Sequence, residues 1–80
     1  MMHPRKYRQG QRVMVRVDRK PDRWIPGIVC LGSDGVSMAV VRTRLVDVDV
    51  LPVDLRKFDP ARELHCMDRA DHDWMTALMS

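Results

Sequence analysis

Only four of the 80 residues are aromatic: Tyr7, Trp24, Phe58 and Trp74. So few rings argue against the exposed stacking platforms on which single-stranded nucleic acids lay successive bases. They also argue against a three- or four-sided cage around a methylated cation. Cysteine is scarce too. Cys30 and Cys66 stand far apart without metal-type spacing and read as free thiols, Cys30 as a small buried group in a strand. The four glycines supply no phosphate-cradling loop, since Gly32 and Gly35 bracket a turn. No stretch approaches the roughly 20 apolar residues of a membrane span. Met1 to Arg8 carries bases without the apolar run of a secretory signal. These absences predict a cytoplasmic protein. No Ser-His-Asp or Cys-His arrangement is visible, so no catalytic residue and no cofactor is expected. The length predicts one domain that buries roughly 60% of its unfolded surface. A ligand pocket of roughly 300–1,000 Å3 would consume much of such a core, which predicts a non-enzyme.

What the chain does have is valine in alternation. Val13, Val15 and Val17 recur at period two, and so do Val46, Val48 and Val50, with Asp47 and Asp49 facing the other way. This is the pattern of half-buried strands. The first strand is expected over about Arg12–Val17 and the second over about Trp24–Leu31. Asp18 to Asp22 reads as a charged loop around Pro21. Pro26 belongs at an edge or just inside the strand start, and Gly27 suits a bulge. Gly32-Ser33-Asp34-Gly35 predicts a hairpin turn. A third strand begins at Val36, a fourth ends near Leu51, and a tight turn falls around Arg42–Arg44. Val53 to Arg56 reads as one helical turn, and Lys57-Phe58 as a short closing strand. So many short strands must curl into a small barrel or sandwich, because a flat sheet would leave its apolar face wet.

Asp59-Pro60 then opens a helix, with Asp as cap and Pro at the first helical position. Leu64, Met67, Asp71, Trp74 and Leu78 recur at three- and four-residue steps, with Met75 and Met79 adjoining. That is an amphipathic helix interrupted once, at Asp71. The expected organisation is a flexible basic arm over 1–9, a barrel over 10–58 and a C-terminal helix over 59–80, packed on the barrel or on a partner.

Gly10-Gln11-Arg12-Val13-Met14-Val15, then Arg23-Trp24-Ile25-Pro26-Gly27-Ile28-Val29, then the valine strand and Leu55-Arg56, resemble the SH3-like small barrel and within it the Tudor-like group. The resemblance covers about Gly10 to Phe58. It implies a mainly β fold, an SH3-like barrel of about five strands with the C-terminal helix added. The chain is also similar in length, and in its Val48-Asp49-Val50-Leu51-Pro52-Val53 stretch, to the plasmid-borne type II dihydrofolate reductases. That family's substrate- and cofactor-binding Gln and Tyr have no counterpart here, so the likeness extends to architecture alone.

Net charge +3 conceals an asymmetry. Residues 1–23 hold Arg5, Lys6, Arg8, Arg12, Arg16, Arg19, Lys20 and Arg23 against Asp18 and Asp22, while residues 59–80 hold five acids against Arg62 and Arg69. The eight bases are the candidate nucleic-acid contacts, an arm and a patch able to neutralise phosphates without reading bases. A basic face that is merely solvated has the same composition. Trp24 caps one end of a barrel core in the bland reading. Trp24 and Trp74 are the candidates for contact with a protein partner. The alternatives to nucleic-acid binding are therefore an adaptor or inhibitor that docks by its helix or a sheet edge, and a structural subunit that oligomerises through the Met-rich helix face. His65, Asp68 and His72 share a helix side with Cys66 nearby, but the spacing matches no recognised metal site, and none is expected. Asp47 and Asp49 are two acids in a strand. They are explained as solvated positions that protect an edge from mispairing.

Overall fold

The computed structural model describes residues 6–79. Five strands form one antiparallel sheet: β1 (Arg12–Arg19), β2 (Asp22–Leu31), β3 (Ala39–Thr43), β4 (Asp47–Val50) and β5 (Leu55–Lys57), in spatial order β4-β3-β2-β1-β5. A 3-10 turn over Pro52–Asp54 joins β4 to β5, and two helices follow, α1 (Pro60–Glu63) and α2 (Arg69–Met79). The fold is mainly β, with the helices at the C-terminal end. Among the described residues no ladder joins the edge strands β4 and β5.

The valine alternation builds the core as expected. Val13, Val15, Val29, Ala39, Val41, Val50 and Leu55 pack into one buried cluster. Gly27 pairs with both Val13 and Thr43 at the centre of the sheet. A Cβ there would collide with Val41 and lie 3.1 Å from the Arg42 carbonyl oxygen, so only glycine lets the strands approach. Pro26 is fully buried inside β2, opposite Met14, and not at a strand start. The β2–β3 ladder begins only at Gly27, so the proline occupies the stretch of β2 that β3 no longer flanks. Met14 is buried on the face opposite the valines, and so is Met75 of α2, which packs on β2.

Several boundaries differ from the sequence reading, each for a local reason. β1 and β2 run on through most of Asp18–Asp22, leaving Lys20-Pro21 as the turn. A register shift between Arg16 and Asp18 interrupts the alternation, and Val17 is 44% exposed, unlike Val13 and Val15. Residues 32–38 form a loop, not a two-residue hairpin. Ser33 is held there by paired backbone bonds with Tyr7 and by its own hydroxyl on the Ser37 carbonyl. Tyr7, expected in the arm, is buried, and its hydroxyl donates to the Leu55 carbonyl at 3.1 Å. Arm residues 1–5 lie outside the described residues. The β3–β4 turn falls at Arg44-Leu45, where the Thr43 hydroxyl donates to the Val46 carbonyl and accepts from the Leu45 and Val46 amides. The helical turn sits at Pro52–Asp54 and the closing strand at Leu55–Lys57, each shifted towards the N-terminus.

The single C-terminal helix is two. Asp59 caps α1 as expected, accepting from the Ala61 amide. α1 ends after one turn, and Asp68 opens α2 by accepting from the Asp71 amide at 2.9 Å. Asp71, which interrupts the apolar stripe, is buried and receives Arg44 Nε at 3.1 Å.

Candidate partner-binding groove

The eight candidate bases divide by environment. Arg5 lies outside the described residues. Arg12 donates to the Leu78 carbonyl at 3.1 Å, satisfying an end group of α2. Arg16 and Arg19 converge on Asp54, Arg16 Nη2 at 2.8 Å and Arg19 Nη2 at 3.0 Å. Arg16 also lies 3.7 Å from Asp22. Among the described residues, Lys6, Arg8, Lys20 and Arg23 make no ion pair and are exposed. Arg12 and Arg19 sit at opposite ends of β1, roughly 20 Å apart at the usual strand rise. Lys20 and Arg23 flank the β1–β2 turn, whereas Lys6 and Arg8 precede the sheet.

Trp24 is half-buried, and two guanidinium groups of its own chain lie over its ring, Arg56 at 4.3 Å and Arg16 at 5.4 Å from the centroid. Arg guanidinium suits this position because it stacks on an aromatic face and still donates in its plane. Arg56 Nη2 meets buried Glu63 at 2.9 Å and 3.1 Å, one distance for each carboxylate oxygen. Arg56 Nε is buried without a hydrogen-bond partner. A run of alternating charge thus links Glu63, Arg56, the indole, Arg16, Asp54 and Arg19. Burial works to raise the Asp54 pKa, but hydrogen bonds and charge from Arg16 and Arg19 outweigh it and hold the carboxyl below its ordinary value. Trp74 is half-buried on α2. Asp54 escapes sequence reasoning because its partners Arg16 and Arg19 lie 38 and 35 positions away, and a lone acid in a short turn gives no signal; Glu63 meets Arg56 across the turn between β5 and α1, which no helical or strand spacing marks.

The feature best shaped for a partner lies between β1 and β4. Past Val15, β1 has no strand on its β5 side among the described residues, since that ladder ends at Val15–Leu55. β4 is an edge strand, and its outer side pairs with no strand among the described residues. Between the two edges runs a groove of two cavities, about 340 Å3 and 270 Å3. Val17 and Val48 line both. Met38 and Leu51 extend the groove at one end, Leu45 and Val46 at the other. Met38 is 51% exposed and Leu45 73% exposed. One sequence signal was available: Val17 continues the apolar alternation straight into charged residues.

The remaining candidates are dispersed. His65 and Cys66 fall in the turn between the helices, because α1 ends so that Asp68 can cap α2. His72 Nδ1 lies 3.7 Å from Asp73. Among the described residues no three His, Cys, Asp or Glu side chains converge as a metal site, and no helix is long and apolar enough to cross a membrane. Asp47 lies 3.3 Å from Arg42, opposite it in register, and Asp49 makes no ion pair among the described residues. The fold and groove define a small five-stranded antiparallel β-domain with a C-terminal helix. No protein-family model, curated protein or solved structure matches the chain.

Proposed function

We propose that this chain is a non-catalytic, protein-binding module: an SH3-like small barrel left open on one side, which receives an extended segment of a partner along the β1–β4 groove. The strand order and the 3-10 turn before β5 support the SH3-like reading. One observation carries the function: two strand edges, unpaired among the described residues, flank an apolar groove lined by exposed Val17, Met38 and Leu51. A chain that adds a strand there gains main-chain hydrogen bonds from the edge and specificity from the pockets beside it. Small barrels of this size seldom have room for a deep catalytic cleft. Nucleic acid is the second outcome, favoured by the unpaired Lys20 and Arg23. Co-purification from the native cell, with and without nuclease and at high salt, separates the two. A protein that stays bound through both treatments and is lost in the Val17→Asp variant supports the groove. Material removed by nuclease, and lost in a Lys20→Glu and Arg23→Glu variant while Val17→Asp retains it, overturns the protein reading.

A further inference from the structure

The β4 edge carries information about its occupant. Asp47 pairs with Arg42 on β3 and Val41 with Val48 in one continuous register, and the Thr43 amide donates to the Val46 carbonyl in that same register. Hydrogen-bonded and open pairs alternate in an antiparallel ladder. Counting from Thr43–Val46, Val48 and Val50 bond towards β3, while the amides of Asp47 and Asp49 point outward from the sheet edge. Burial alternates as well. Val48 and Val50 are the more buried residues of β4, whereas Asp47 and Asp49 are exposed, and Asp49 also borders the cavity of about 340 Å3.

Charge around the groove is uneven. Arg16 and Arg19 are engaged by Asp54, Arg42 by Asp47 and Arg44 by Asp71. Among the described residues, Asp49 of the groove lining has no ion pair, nor does Arg23, a cation at the far end beside Asp68 and Asp71. A second copy of β4 added about a two-fold axis would set Asp47 opposite Asp49, or Asp49 opposite itself. Like charges directly opposite destabilise a strand pair, so the edge disfavours itself and favours the opposite sign.

We propose that the occupant of the β4 edge is an extended segment in which apolar residues alternate with lysine or arginine. Its apolar side chains enter the groove beside Val17, Val48 and Leu51, and its basic ones lie across from Asp47 and Asp49. This rests on the groove being a protein-binding site, as proposed above. With Asp47 already engaged by Arg42, the cross-strand pair at Asp49 carries the preference, favouring such a segment over an acidic one by roughly threefold or more.

The test is amide exchange measured by NMR on the full chain, titrated with a capped six-residue peptide alternating valine and lysine, and with its valine–glutamate counterpart. The expected result is slowed exchange at Asp47 and Asp49, resonance shifts at Val17 and Leu51, and at least threefold tighter binding of the lysine peptide. Asp49→Lys should reverse the preference and Asp49→Asn should erase much of it; the two substitutions sit at an exposed position, and the unchanged spectrum of the core reports folding. Equal binding of both peptides in the groove overturns the charge preference while leaving the protein-binding site standing. No protection at Asp47 and Asp49 with either peptide, at millimolar concentration, overturns the groove itself.

Discussion

Asp54 receives two arginines from β1 while it closes the turn that carries β4 into β5. The Arg16 side chain is only 20% exposed, so its guanidinium would be left poorly solvated without this partner, whereas the more exposed Arg19 would be taken up by water. Asp54→Asn is expected to cost about 2–3 kcal/mol at neutral pH, the range for losing a charge-assisted, part-buried contact. The pH dependence has a definite sign. The folded-state pKa of Asp54 is lowered, so the unfolded chain binds more protons in the acid range. The contribution is present above the ordinary aspartate pKa of about 3.9 and fades as pH falls through the lower folded value. Urea midpoints at pH 7 and pH 3 should therefore show a wide gap between wild type and Asp54→Asn that narrows on acidification. A gap independent of pH would show that the ionised carboxylate does not matter. Gly27 makes a different kind of demand. Gly27→Ala forces a methyl group against Val41 and the Arg42 backbone, and overpacking of this kind costs about 1–3 kcal/mol. Thermal unfolding would measure it, and a melting temperature equal to wild type would show that the strands can separate without loss.

At the scale of elements, the sheet was legible because valine alternation is a local signal that β1 and β4 carry, while β2 was marked by its apolar run from Trp24 to Leu31. The 3-10 turn and β5 were displaced because Pro52 both ends a strand and starts a turn. The helix was misread as continuous because Leu64, Met67 and Asp71 keep helical spacing across a gap. What broke it was a second capping residue: Asp68 bonds the Asp71 amide, and Asp71 is then held by Arg44 from the β3–β4 turn. An aspartate on an apolar stripe looked like an interruption when it was an anchor, and nothing local distinguishes the two. Asp68→Ala should cost about 1 kcal/mol, as loss of an N-cap does. Far-UV dichroism and exchange of the first α2 amides would detect the fraying. Met75 tests the other half of the docking. It is fully buried, and Met75→Ala should cost about 2–5 kcal/mol. A cost near zero would mean that α2 merely rests on β2.

For the whole molecule, the charge asymmetry along the sequence did not survive as one face. Ion pairs between residues 35 and 38 positions apart drew Arg16 and Arg19 to Asp54, and a base count carries no trace of such pairings. The acids of β4 were read from sequence as guards of an edge, and their surroundings make that role testable. The groove beside them is apolar, and Leu45, Val46, Met38 and Leu51 are all exposed near it. An edge of that character pairs with copies of itself unless charge prevents it. Replacing Asp47 and Asp49 together by valine removes the opposed carboxylates and extends the apolar strand. The double variant should self-associate at micromolar concentration and neutral pH, with wild type expected to sediment as a monomer under the same conditions. The dimer should form through β4, with exchange slowed at residues 47 and 49 and unchanged at α2. A double variant that stays monomeric would mean that some other feature shields the edge, and would weaken the case that this strand is open to any partner. Association through α2 instead would restore the Met-rich helix face as the interface.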